Sequence, residues 1–174
     1  MDKYYYLIAQ LPVLYFGRES GLTIDQFLDE AQKWLSQADY YRLEKVDLEA
    51  TEILKGDLPI IRQIKNFELI MRRELADWRS ARKKNAVKDP ASVGQDYKIR
   101  AFPVNLVQES NPLSVEKNLL LWRWQFLELL ELGHHFDLEF LILYYLRLQI
   151  LKKLFTFDKK VGREKYQQYY EMSL

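Results

Sequence analysis

Glu131 and His134 stand three residues apart, the Glu-x-x-His spacing that helical di-iron sites use. Such sites need the motif twice, with two more inward carboxylates. Here it occurs once, and Gly133 is a natural helix stop inside it. His134 and His135 are the 2 histidines of the chain. Exposed imidazoles at a helix C-terminus are favoured by the helix dipole, which accounts for both without a metal. Glu116, Glu128 and Glu131 fall near one helical strip, so an enzyme reading would build acid–base chemistry on them and His134. Nothing in the sequence supplies a nucleophile or aims these groups at a substrate. Glu116 also lies two helical turns from Arg123, close enough for a structural ion pair. With no Cys, thiolate metal sites, disulfides and Cys nucleophiles are excluded. Neither the GxGxxG nor the P-loop pattern occurs, so no phosphate-cradling loop is recognisable. The residues thus predict no catalytic, cofactor-binding or metal-ligating set, and neither cofactor nor metal is expected.

The other chemistry on offer is charge. Residues 1–60 hold 6 basic and 11 acidic residues, and residues 61–105 hold 11 basic and 5 acidic. An acidic front and a basic middle suggest mutual docking or two partner surfaces. Arg72, Arg73, Arg79, Arg82, Lys83 and Lys84 concentrate the positive charge and are the candidate partner-binding residues. Trp78 beside them would suit single-strand stacking. The net charge of +1 and the lack of a reading motif argue against nucleic acid and for either a solvated helix end or a surface for an acidic protein.

Long elements must carry these residues. Hydrophobic residues are 48% of the chain, while 6 Gly and 5 Pro leave few turns, which favours helices over a many-stranded sheet. Lys3 to Leu14 is aromatic and ends at Pro12; its three consecutive tyrosines fit an extended segment or the first turns of a buried helix. Thr23 and Gln26 form a capping box that starts a helix running to about Leu35, and Ser36 caps a second through Leu43. A third is expected over Leu48 to Leu54. Asp57, as cap, and Pro59 open a helix toward Lys84, with Ile60, Ile64, Phe67, Met71, Leu75 and Trp78 as its buried stripe. Residues 85–112 break every pattern and mark a loop. Asn111-Pro112 starts a penultimate long helix that stops at Gly133, and Asp137 caps the last one, Leu138 to Phe157. A short amphipathic tail follows from Arg163 to Met172.

That last helix is apolar on nearly every side, which belongs inside a helical protein or a membrane. A span needs about 20 mostly apolar residues. Glu139, Arg147, Lys152 and Lys153 interrupt this one, so a buried core helix is expected. Met1-Asp2-Lys3-Tyr4 has none of the features of a signal peptide, which makes the cytoplasm the expected compartment, with at most a peripheral place at the membrane face.

Several segments in order carry a resemblance. They are Tyr4-Tyr5-Tyr6-Leu7-Ile8-Ala9-Gln10-Leu11-Pro12, Met71-Arg72-Arg73-Glu74-Leu75-Ala76 with Arg79, Asn111-Pro112-Leu113 with Glu116, Arg123-Trp124, Gly133-His134 with Phe136-Asp137, and Leu148-Gln149-Ile150-Leu151. With these the chain resembles a family of bacterial proteins of unknown function encoded beside V-type ATPase subunits. That family is similar to a shortened form of the C/d-type component of V-type ATPases, an all-helical funnel that sits on the rotor ring and sockets the central shaft. The funnel's helical repeats carry Asp-x-x-Asn-Leu followed by Arg. Gln63, Asn66-Phe67 and Arg72 stand at those positions here, and Gln149 holds the polar one in the last helix.

The residues alone predict an all-α protein. It would be a helical bundle with two long antiparallel C-terminal helices, in a single domain over residues 1–174 or in two lobes divided at the 86–112 loop. The predicted core includes Trp34, Ile64, Phe67, Met71, Leu75, Trp122, Phe126, Leu141, Tyr144, Leu148 and Leu151. The resemblance implies a non-catalytic component or assembly factor of a V-type ATPase that docks to rotor or shaft subunits. The alternative is a stand-alone helical scaffold or dimerisation protein.

Overall fold

The computed structural model describes residues 2–83 and 111–157. They form six helices, with no strand among the described residues: α1 (Asp2–Gln10), α2 (Ile24–Trp34), α3 (Gln37–Glu44), α4 (Pro59–Lys83), α5 (Pro112–Glu131) and α6 (Leu138–Thr156). The all-α expectation holds. The 86–112 boundary lies outside the described residues except for Asn111 and Pro112, as does the tail after Phe157.

The caps explain where the helices begin. Thr23 Oγ1 accepts from the Gln26 N–H at 3.2 Å, and Gln26 returns the bond to the Thr23 N–H at 3.0 Å. Ser36 accepts from the Asp39 N–H, Asn111 from Leu113, and Asp137 from Phe140. Pro112 occupies the first turn of α5, where no N–H is missed. Between α5 and α6 the chain reverses at Gly133, whose φ of 96° suits a residue without a Cβ.

Helix α6 is the centre. Leu138 and Leu141 to Leu148 are all buried, with Ile150 and Leu151 beyond them, so the helix is covered on every side. Helix α5 lies along it as the second arm of a hairpin. Helix α4 docks on α5 through Phe67, stacked on Phe126 at 4.0 Å between ring centroids and tilted against Trp122 at 4.6 Å. Helix α2 docks on α6 through Phe27, which meets Tyr144 and Tyr145. The buried side chains of all six helices belong to one apolar cluster. Such burial stabilises by roughly 1.5–3 kcal/mol per large side chain.

One open alternative is settled and three local expectations are corrected. Of the two forms open to the N-terminal segment it takes the helix, α1: Tyr4, Leu7, Ile8 and Leu11 recur at the 3-and-4 spacing and face inward, while Tyr5 and Tyr6 face out. No helix forms over Leu48 to Leu54. Asp47 Oδ1 takes the Glu49 N–H at 3.1 Å, a local bond that competes with helix, and Val46 and Leu48 are both buried. Asp57 does not cap α4; its carboxylate accepts from the Leu54 N–H and the Lys65 ammonium, each at 2.8 Å. The Leu58 carbonyl takes the first bond of that helix instead. Trp34 is half-buried, stacked on the exposed Tyr6, whereas the other ten predicted core residues are buried.

Candidate functional site

The four residues of the enzyme reading are not gathered. Glu116 does not pair with Arg123. Glu128 accepts the Trp124 indole N–H at 2.7 Å. Glu131 pairs with Arg147, a residue of the most apolar helix that also lies over the Trp124 ring at 5.4 Å. The Arg147 Nε is buried without a hydrogen-bond partner among the described residues, and nothing in the structure accounts for it.

His134 is placed in the α5–α6 turn, with Nδ1 2.7 Å from Asp137 Oδ2. It borders a 490 Å³ cleft lined mainly by apolar groups such as Ile60, Phe126 and Leu130. Ligand atoms of His134, Asp137 and Glu139 lie within 4.8 Å of one another, a donor set of the kind that divalent transition cations accept. Asp137 is meanwhile committed, one oxygen to His134 and the other to the Phe140 N–H that it caps.

The polar interior is built from residues that the sequence hides among apolar ones. Glu68 lies on the buried stripe of α4 and is 1% exposed. Arg123 of α5 grips it with two bonds, Nε to Oε2 at 3.0 Å and a terminal nitrogen to Oε1 at 2.8 Å. This planar fork is the geometry in which Arg and carboxylate bind best. Arg72 adds a bond to Glu68 at 3.2 Å and another to the Glu49 carbonyl at 2.7 Å. Gln149 of α6 holds the irregular strap between α3 and α4: its Nε2 donates to the Val46 carbonyl at 2.9 Å and its Oε1 accepts from the Leu48 N–H at 3.0 Å. Lys153 pairs with Glu49 of the same strap, and that bond holds the Glu49 carboxyl below its usual range.

The candidate partner-binding cations therefore divide. Arg72 is half-exposed but structural, tied to Glu68 and Glu49. Arg73 and Arg79 are exposed along α4. Arg82 and Lys83 occupy the last turn of α4 with their side chains outside the description, and Lys84 lies outside the described residues. Sequence reasoning passed over Glu68, Arg123 and Gln149 as interior groups. The available signal was one carboxylate inside the stripe Ile64–Phe67–Met71–Leu75, facing one guanidinium inside the apolar run of α5.

A protein-family model described as "protein of unknown function (DUF2764)" matches residues 102–172. The chain is similar to that family over its C-terminal part. No curated protein and no solved structure matches the chain. Among the described residues, no helix is long and apolar enough to cross a membrane.

Proposed function

We propose that the chain is a non-catalytic component or assembly factor of a V-type ATPase, acting by docking to rotor or shaft subunits. The observation that carries a docking role is the use of its polar residues. Glu68, Arg72, Arg123, Glu131, Arg147 and Gln149 each bond to other residues of the fold. Three of them, Arg72, Arg123 and Gln149, belong to the segments that carry the resemblance to proteins encoded beside V-type ATPase subunits. What remains for function is surface, where Arg73 and Arg79 are exposed cations on different sides of α4. Exposed cations favour an acidic partner and speed its encounter.

Affinity purification of the tagged chain from native membranes, followed by mass spectrometry, tests this. V-type ATPase rotor or shaft subunits should co-purify, and Arg73→Glu with Arg79→Glu should remove them. Recovery of the chain alone, or only of a second copy of itself, would overturn the ATPase reading in favour of a stand-alone helical scaffold.

A further inference from the structure

The strap between α3 and α4 does more than connect. Together with α3 and α4 it lines a half-open groove of 390 Å³. Val46, Leu58 and Ile61 are among the groups lining it, and Tyr41 and Leu54 stand at it, 55% and 53% exposed. Ile53, next along the strap, is also exposed. Apolar surface presented this way on both sides of a groove marks a docking site.

The charged side chains lining it are three cations and one carboxylate. Arg42 and Lys45 stand on the α3 wall and Lys65 on the α4 wall. Lys55 sits between the lining residues Leu54 and Gly56, and Arg62 donates to its carbonyl at 2.9 Å. Asp57 is the one carboxylate lining the groove, and Lys65 already neutralises it. Arg42 reaches Asp39 at 3.4 Å, whereas Lys45 leans on Tyr41, donating to its hydroxyl and lying 4.0 Å from its ring centroid. Among the described residues, no carboxylate is in ion-pair contact with Lys45, Lys55 or Arg62, although the charge of Arg62 also acts on Asp57. The first turn of α4 carries no acidic residue either. Cations on both walls suit several carboxylates spaced along a chain better than one headgroup at one point.

We infer that this groove binds an acidic peptide segment of a partner protein, with large apolar side chains against Val46, Leu54 and Ile61 and flanking carboxylates against Lys45, Lys55 and Arg62. The inference concerns a surface separate from Arg73 and Arg79 and does not depend on which protein supplies the segment.

The test uses the purified full chain and a short synthetic peptide of glutamate pairs separated by leucine and phenylalanine. Anisotropy of the labelled peptide reports affinity, and amide chemical shifts report the place. The expected result is saturable binding that weakens with added salt, with shifts at Lys45, Leu54, Gly56 and Ile61. Lys45→Glu with Lys55→Glu should weaken it at least about tenfold, the scale on which close charges act across an interface. Both lysines are exposed, and the variant should keep the melting temperature of the parent. The glutamine counterpart of the peptide should bind at least about tenfold more weakly. Equal binding of that counterpart, unchanged affinity in the lysine variant, shifts confined to Arg73 and Arg79, or no saturable binding by the parent would each overturn the inference. So would a fatty acid that fills the groove while the peptide produces no shift. A negative result here leaves the co-purification experiment unaffected, and the reverse also holds.

Discussion

Glu68 and Arg123 show how much depends on a single pair. Both are buried, so each is tolerable only because the other is present. Arg123→Met should destabilise the protein by about 3–5 kcal/mol, because Glu68 is left in the interior with only the half-exposed Arg72 to answer it. Replacing both, Glu68→Leu with Arg123→Met, should restore most of that loss. Urea unfolding of the two variants and the parent measures it; a double variant no better than Arg123→Met would count against the pair as the cause. A second residue gives a dependence on pH. Burial works to raise the Asp57 carboxyl, but the bonds from Lys65 and the Leu54 N–H, with the nearby charges, outweigh it and hold the group below its ordinary value of 3.8. A depressed carboxyl stabilises the fold above the unfolded value, and that stabilisation fades as pH falls through the folded one. Asp57→Asn should therefore be less stable than the parent at pH 7, with the gap closing below about pH 4. Parallel stability curves down to acid would contradict this.

The hairpin and the strap belong to different classes of element. Helices α5 and α6 are held by continuous apolar burial, so their caps decide only where they start. The strap over residues 46–58 has little backbone bonding of its own and depends on side chains from elsewhere: Gln149 and Lys153 from α6, Arg62 and Arg72 from α4. Gln149→Leu should leave the Val46 carbonyl and the Leu48 N–H without partners, at a cost of about 1–3 kcal/mol. The selective reading is hydrogen exchange. The Leu48 amide should speed up while amides in the middle of α5 change only with global stability. Unaltered protection at Leu48 would mean that the clamp is not what orders the strap. Because the strap forms one wall of the cationic groove, the same variant should also weaken acidic-peptide binding.

The described residues are arranged around α6, an apolar helix that serves as the core. Its lining is supplied by α1 to α5, and the charged Arg147 is met by Glu131 rather than by lipid. A component docked peripherally, as proposed, should be released by a carbonate wash of a membrane fraction. Retention in the pellet after that wash would defeat the peripheral placement. The acidic front and basic middle of the chain do not simply neutralise each other. Arg72 reaches the Glu49 carbonyl and Lys65 takes Asp57, while Arg73, Arg79, Lys45 and Lys55 remain exposed. Exposed cations along α4 and beside the groove are the outcome.

Much of this was readable from residue order, because local rules act over three or four residues. Thr23 with Gln26, Ser36, Asn111-Pro112, Gly133 and Asp137 mark their helix ends in the sequence, and the structure uses each one there. Apolar spacing placed Phe67, Met71, Leu75, Phe126 and Leu148 in the core for the same reason. The interior ion pair and the strap were not readable in this way. Glu68 and Arg123 are 55 residues apart, and Gln149 acts on backbone 101 and 103 residues away. Their roles depend on which helix faces which, and no local periodicity encodes that. The expected helix over Leu48 to Leu54 is displaced by contacts of both kinds: Asp47 takes the Glu49 N–H locally, and Gln149 and Arg72 bind its backbone from α6 and α4. The groove is lined by that strap together with α3 and α4, so it too depends on packing between segments that residue order alone does not show.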